Sequence, residues 1–324
     1  MEICQAMTTR DQHKFYPLNQ SPFYKVKSPA QLADILGTDQ KEMMRIASGS
    51  GNYIRFETDQ GRDIQWPKPN LRHIQKRAAN LLGRIETPNF LHSAKKGRSY
   101  ITNTDRHSPS LPSIKVDIRK FFQSVRAPAV FHFFKDKMLC APDVAGILAR
   151  IFTVDAHLPT GGNVSPILSY FAYLDMFAEL DDLAKRSDCV MTCLMDDMTF
   201  TGSGASGRLV YEVRRILGRY RLCAHKTKVF KARQVKIITG VAVTIRGRRV
   251  PNKRQKAIAK DLRDLRAARS DEVRLTILRP ATGRAYEAAQ VDPAWLPRAK
   301  SIAAKRKALE ASLSNQTGNV VGRT

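Results

Sequence analysis

Two adjacent aspartates, Asp196 and Asp197, stand between an apolar run from Cys189 to Met195 and a second that opens at Met198. Read as a hairpin, the stretch puts both acids at the turn. Carboxylates this close repel each other and shift toward the protonated form unless a cation neutralises them, and a divalent metal ion is the usual partner. The doublet alone says little, since Asp181-Asp182 also occurs and reads as helix surface. Asp117 sharpens it. It lies near the end of Ile114-Lys115-Val116-Asp117-Ile118, a short strand that alternates apolar and polar residues, and a buried strand seldom carries a carboxylate without a use. If the strands are neighbours in one sheet, Asp117, Asp196 and Asp197 form a three-carboxylate cluster. Hard oxygen ligands favour Mg2+ or Mn2+ over zinc. Two such ions can activate a 3′-hydroxyl, stabilise the charge of the transferring phosphoryl group and hold a leaving pyrophosphate.

The chain around these acids is strongly basic. Lys and Arg number 55 against 29 Asp and Glu, a net charge of +26, which points to a polyanionic partner. No acid occurs from Arg214 to Lys260, and strand-like segments at Val235–Ile238 and Val241–Ile245 interrupt the basic run, as in a folded nucleic-acid surface. The composition is otherwise globular, with 43% hydrophobic and 26% charged residues over 324 positions, so a disulfide-stapled miniprotein and wholesale disorder are both excluded. The five cysteines, Cys4, Cys140, Cys189, Cys193 and Cys223, contain no C-x-x-C pair. They predict a reduced, cytoplasmic setting without structural zinc. No leader-like start and no long apolar stretch is present, so a soluble, non-exported protein without membrane contact is expected. Composition and acids together leave a metal-dependent nucleotidyl transferase, a nuclease or a merely basic binding protein.

Several elements must position these groups. Ser28-Pro29 starts a helix that ends at Gly37, and a second helix runs from about Asp39 to Ala47. Asn52–Phe56 and Arg62–Gln65 flank Asp59-Gln60-Gly61 as a hairpin carrying Arg55 and Arg62. Beyond Pro67 and Pro69, Leu71, Ile74, Ala78, Leu81 and Ile85 recur at helical spacing. Leu158 to Pro166 is a tight loop leading into a Ser165-Pro166 helix start, with Ile167, Leu168, Phe171, Leu174 and Ala178 on one face. From Asn252 to Arg269, Lys253, Lys256, Lys260 and Arg263 fall within an arc of about 80° opposite Ile258, Leu262 and Leu265, giving one face to packing and one to phosphates. A polar tail from Ser314 is expected to fray.

The succession of segments resembles bacterial retron-type reverse transcriptases, from about Ser21 to about Leu296. Ser21-Pro22-Phe23-Tyr24-Lys25-Val26 is similar to the family's opening segment. Phe90 to His107 resembles its Phe…Gly-Arg-Ser…Asn-x-x-x-His stretch through Gly97-Arg98-Ser99, Asn103 and His107, with Thr104 where alanine is usual. Val116-Asp117-Ile118-Arg119-Lys120-Phe121-Phe122 resembles the first catalytic motif. Leu158-Pro159-Thr160-Gly161 with Ser165-Pro166 is similar to L-P-Q-G-x-x-x-S-P, with Thr160 for glutamine. Leu194-Met195-Asp196-Asp197 corresponds to Y-x-D-D with leucine for tyrosine. His225-Lys226-Thr227-Lys228 and Ile238-Thr239-Gly240 resemble the later lysine motif and the V-T-G segment.

The resemblance implies an α+β right-hand polymerase with an antiparallel palm sheet: an N-terminal helical segment (1–50), fingers (51–112), a palm (113–250) with an interleaved fingers segment (about 140–165), and a helical thumb and tail (251–324). It implies that Asp117, Asp196 and Asp197, with the carbonyl of Ile118 nearby, hold two Mg2+ ions, with Mn2+ as a substitute. Arg55, Arg62, Phe122 and Gly161 would bind the incoming dNTP, Phe122 as the gate against a 2′-hydroxyl. Lys226 would serve as general acid or phosphate contact. Asn103, His107, Ile238, Thr239 and Gly240 join the lysine stripe as nucleic-acid-binding residues. The implied activity is RNA-directed DNA synthesis on a dedicated structured noncoding RNA of msr-msd type, primed from an internal guanosine 2′-hydroxyl. The RNA–DNA product (msDNA) would serve antiphage defence with a separate effector protein, and host RNase H would remove the template. Another defence reverse transcriptase with different priming or template, or a catalytically silent RNA-binding module, are the alternatives.

Overall fold

The computed structural model describes residues 15–59 and 61–321, with side chains through Ser314. Cys4 and Gln60 therefore lie outside the described residues. The chain divides into two compact units, one comprising Met1–Arg106 with Ile114–Val229, the other His107–Ser113 with Phe230–Thr324.

Local chemistry sets the first elements of the larger unit. Helix α1 (Pro29–Leu36) begins where the Ser28 hydroxyl accepts from Gln31 N and stops at Gly37 with φ 68°. Asp39 caps α2 (Gln40–Ser48) in the same way through Glu42 N. Strands β1 (Tyr53–Glu57) and β2 (Asp63–Pro67) form an antiparallel hairpin with Arg55 opposite Gln65. Helix α3 (Pro69–Gly83) buries Leu71, Ile74, Gln75, Ala78 and Leu82. Leu81 packs at the edge of that core, and Ile85 is buried beyond the helix end. Ser99 and Thr102 cap α4 (Tyr100–Thr104) reciprocally.

The remainder of this unit supplies the sheet and its cover. Strand β3 (Ser113–Ile118) leads to α5 (Phe121–Ser124), α6 (Ala127–His132) and α7 (Pro142–Phe152). Next come α8 (Ser165–Ala172), α9 (Leu174–Arg186), β4 (Cys189–Leu194), β5 (Asp197–Gly202), α10 (Gly207–Arg219) and β6 (Ala224–Phe230). The sheet runs β4-β5-β3-β6, with β4 and β5 antiparallel. Ile114, Val116 and Ile118 turn into the core with Met198 and Phe200, against helical aromatics such as Phe121, Phe171 and Phe177. Helix α8 begins at Ser165, where the sequence predicts a Ser-Pro helix start; the Ser165 hydroxyl donates to Pro159 O at 2.8 Å and Val164 takes the cap position. One sequence expectation changes here. The apolar face predicted across Ile167–Ala178 belongs to two helices, since Tyr173, at φ −123° and ψ 32°, leaves the helical region.

In the second unit, β7 (Lys236–Ile238), β8 (Val241–Thr244) and β9 (Gly247–Arg249) form an antiparallel meander. Helices α11 (Asn252–Ala267), α12 (Asp271–Val291) and α13 (Leu296–Val321) follow. Lys236 is fully buried, and its Nζ donates to the carbonyls of Ser108, Pro109 and Leu111 at 3.0, 2.8 and 2.5 Å. A buried ammonium with three acceptors has all its donors met, and it ties residues 107–113 to the meander. Residues 230–250 thus cluster with the C-terminal helices, whereas the sequence places them with the middle domain. Helix α13 continues through Val321, where the sequence predicts a frayed tail. Among the described residues no helix is long and apolar enough to cross a membrane.

Candidate active site

The alternation of β3 sorts its residues by face. Ile114, Val116 and Ile118 are buried, whereas Lys115 and Asp117 share the opposite, half-exposed face. In the neighbouring hairpin Leu194 pairs with Asp197, which leaves Met195 and Asp196 as a two-residue turn. Asp196 therefore sits in the turn, as the sequence predicts, while Asp197 is the first residue of β5. Ile118 N donates to Asp196 O at 3.1 Å, which fixes the turn beside the end of β3.

This turn lacks the Asn-Gly or Asp-Gly pair that favours a two-residue hairpin loop. Met195 nevertheless adopts φ 59°, a conformation that costs a non-glycine residue about 1–2 kcal/mol. Tertiary contacts hold it there. Met195 N donates to Ser93 Oγ at 3.1 Å, and the Cys193 thiol donates to Met195 O at 3.2 Å. The segment carrying Ser93 lies along the free edge of β4, with Cys193 N donating to Phe90 O and His92 N to Cys193 O, each at 2.8 Å. Arg98 secures the same segment by donating to the carbonyls of Pro88 and Leu91, both at 2.6 Å. The Gly-Arg-Ser stretch thus supports the acidic turn, and Ser93 is a positioning residue that sequence reasoning missed.

Charge is concentrated at this sheet end. Burial raises the Asp196 carboxyl to about 6, and the negative charges of Asp117 and Asp197 add to the shift against a backbone hydrogen bond and Lys115. Asp197 is raised as well, chiefly by burial, with Lys115 opposing. Lys115 Nζ stands 2.5 Å from Asp197 Oδ2, while Asp197 Oδ1 is buried without a hydrogen-bond partner. Lys115 is the second residue that sequence reasoning missed, although its two-residue offset from Asp117 on a strand already places both on one face.

The remaining predicted residues fall into three groups. Close to the acids in sequence, Phe121 is buried and Phe122 half-buried, with ring centroids 6.0 Å apart. Lys226 is exposed on β6, the strand beside β3. A second group joins the β1–β2 hairpin to the loop before α8. Thr160 Oγ1 donates to Asp63 O at 2.8 Å and Thr160 N to Gln65 Oε1 at 3.2 Å. A Cβ on Gly161 would lie 2.7 Å from Gln65 O, so the approach of β2 alone requires glycine there. Gln75, buried and unpredicted, donates to Tyr53 Oη at 2.9 Å and accepts from Asn163 N at 3.0 Å. Arg62 is exposed, but Arg55 is engaged by Asp155 at 2.8 Å.

In the third group, Asn103, His107 and Ile238, expected as nucleic-acid contacts, are buried at 0%, 3% and 0% exposure. Thr239 and Gly240, at φ 45° and 81°, are the two central residues of the β7–β8 turn. Positive φ at both positions is the twist of a type I′ hairpin turn, which gives the Ile238-Thr239-Gly240 segment a folding role. Lys253, Lys256, Lys260 and Arg263 are exposed along α11 as predicted, and Ile258 is buried on the other side.

The family model described as "Reverse transcriptase (RNA-dependent DNA polymerase)" matches residues 56–244, more than half of the chain. The chain belongs to the reverse transcriptase family, and such a domain implies a palm-type polymerase fold. Its sequence is similar to those of retron reverse transcriptases. It is 28% identical to the retron Se72 reverse transcriptase of Salmonella heidelberg (strain 579083-10), over 63% of this chain and 57% of that protein. It is also 26% identical to the retron Ec48 reverse transcriptase of Escherichia coli (57% and 47%) and 28% identical to the retron Mx162 reverse transcriptase of Myxococcus xanthus (64% and 49%). The chain spans about half the length of the curated relatives it matches.

Reverse transcriptase domains generally use divalent metal ions. Among the described residues, no group of three or more His, Cys, Asp or Glu side chains is gathered closely enough to hold one as it stands. The donor chemistry nonetheless fits such an ion. Three carboxylates share one sheet end, two of them raised by burial and mutual repulsion, and Asp197 Oδ1 is an acceptor with nothing to accept.

Proposed function

We propose that the chain is an RNA-directed DNA polymerase of retron type. The observation that carries this reading is the Asp196 turn tied to the Asp117 strand end, within a matched reverse transcriptase domain. In this reading the β3–β6 sheet is the palm, the β1–β2 hairpin with the Thr160 loop belongs to the fingers, and α11–α13 form the thumb. Asp117, Asp196 and Asp197, with the Ile118 carbonyl beside them, hold Mg2+, or Mn2+ in its place. Two such ions supply a lowered pKa for the attacking hydroxyl and charge neutralisation at the transferred phosphoryl group.

The chain's own side chains orient the reactants. Phe122 stands at the core's edge, where it presents a ring to the sugar of a dNTP and crowds a 2′-hydroxyl. Arg62 offers a planar fork to the triphosphate. Arg55 can do so only after leaving Asp155. Lys226, exposed on the strand beside Asp117, contacts phosphate or donates a proton to the leaving pyrophosphate. The α11 stripe follows the backbone of an RNA-containing duplex without reading bases.

The template in this reading is part of a dedicated structured noncoding RNA, primed from an internal guanosine 2′-hydroxyl. The RNA–DNA product serves antiphage defence with a separate effector, and RNase H from the host trims the template. Cys140, Cys189, Cys193 and Cys223 are free thiols, which suits work in the cytoplasm. The test is to purify the protein from its native locus and treat the copurified nucleic acid with RNase and then debranching enzyme. A shift of DNA mobility on a denaturing gel after debranching is expected. DNA with a free 5′ end, or attached to protein, would replace the branched-RNA reading with another mode of priming.

A further inference from the structure

Lys115 occupies a position that the polymerase roles above leave unused. It shares the face of β3 with Asp117, and its ammonium lies 2.5 Å from Asp197 Oδ2, with the two side chains only 20% and 18% exposed. Surface ion pairs are weak because water and salt screen them. This one is largely withdrawn from both. Among the described residues, Lys115 is the one cation in an ion pair with Asp117, Asp196 or Asp197. The other oxygen of Asp197 is buried and unpartnered. Asp197 is thus held by one oxygen and unpartnered at the other, and among the described residues the three acids are not drawn together as a finished ligand set.

We propose that Lys115 is the resident counter-cation of the acid cluster, and that a divalent ion loads by taking Asp197 from it. Without a cation, three carboxylates at one sheet end repel each other, and Lys115 offsets one of those charges at a fixed place. An arriving divalent ion brings a larger charge to the same carboxylate and meets the lysine's like charge. Lys115 therefore raises the ion concentration at which the cluster fills, and the freed ammonium becomes accessible when it does. The inference rests on the three acids being the metal centre.

The test measures Mn2+ binding to the nucleotide-free protein by the electron paramagnetic resonance of free Mn2+. Lys115→Met and Lys115→Gln are expected to bind Mn2+ about three- to tenfold more tightly than the unaltered protein, the scale of a half-sheltered ion pair. Lys115→Arg should bind as the unaltered protein does. Equal or weaker binding in the neutral variants overturns the proposal. A second measurement needs no variant: brief amine acetylation read by mass spectrometry should modify Lys115 several-fold more once Mn2+ is added. Unchanged labelling while Mn2+ binds overturns it equally. Asp117→Asn separates the two levels of the argument, because Mn2+ binding that survives it intact defeats the metal-centre reading itself, whatever Lys115 does.

Discussion

At the end of the β3–β5 sheet, acids crowd into partial burial, whereas along α11 Lys253, Lys256, Lys260 and Arg263 stand in solvent without an ion pair among the described residues. The two regions meet opposite electrostatic conditions. Burial at the sheet end removes the water that would screen like charges, so each carboxylate changes its neighbours and the group behaves as a unit. On α11, solvent weakens each charge but lets the four act nearly independently. Chemistry and grip can therefore be damaged separately.

The sharpest way to break that separation is at the acids. Asp196→Ala or Asp117→Ala should lower RNA-templated primer extension by more than about 10²–10³-fold while RNA affinity stays within a few-fold. Retained extension in either variant would remove the acids from catalysis, and a parallel collapse of affinity would show that the two regions are not independent. A smaller effect is expected on the other side. Changing Lys256, Lys260 and Arg263 together to Glu should weaken RNA binding and flatten its salt dependence, each lost phosphate contact removing up to about 0.7–0.9 from the log–log slope. Binding titrations at several salt concentrations measure this. An unchanged slope would mean that this face of α11 does not meet phosphate.

The two regions also differ in how openly the sequence declares them. The lysine stripe needs only a helical period, and the caps at Ser28 and Asp39 need only a turn of chain, so both are legible. The acids are legible as residues, because Asp117 breaks an apolar strand and Asp196-Asp197 breaks a hairpin. Their supports are not. Ser93 reaches Met195 across 102 positions, and nothing local to either residue signals the bond. Ser165-Pro166 announces the start of α8, but not the bond from the Ser165 hydroxyl to the Pro159 carbonyl. Asn103, His107 and Ile238 match a family pattern that does not distinguish contact from scaffold, and their burial is not signalled by it. Lys115 is legible in part, since strand alternation places it on the face of Asp117, but its pairing with Asp197 joins residues far apart in the chain.

The smallest predicted effect is on stability, and it asks whether the sheet end is as strained as its burial implies. The Asp196 carboxyl is raised from 3.8 to about 6, first by burial and then by its acidic neighbours. Between those two values the folded protein binds more protons than the unfolded chain, so this group's contribution falls as pH rises and is most unfavourable above about 6. Asp196→Asn keeps the side chain's shape and removes the charge. In the presence of a chelator, the variant should unfold with on the order of 2–3 kcal/mol more stability than the unaltered protein at pH 8. The difference should shrink as pH falls through about 6, as the carboxylate takes up the proton that makes it resemble the amide. Denaturant unfolding at several pH values measures it. A variant no more stable at pH 8, or a gap constant down to pH 5, would mean that the acids tolerate one another as easily as the bases of α11 tolerate theirs, and the contrast between the two regions would then rest on exposure alone.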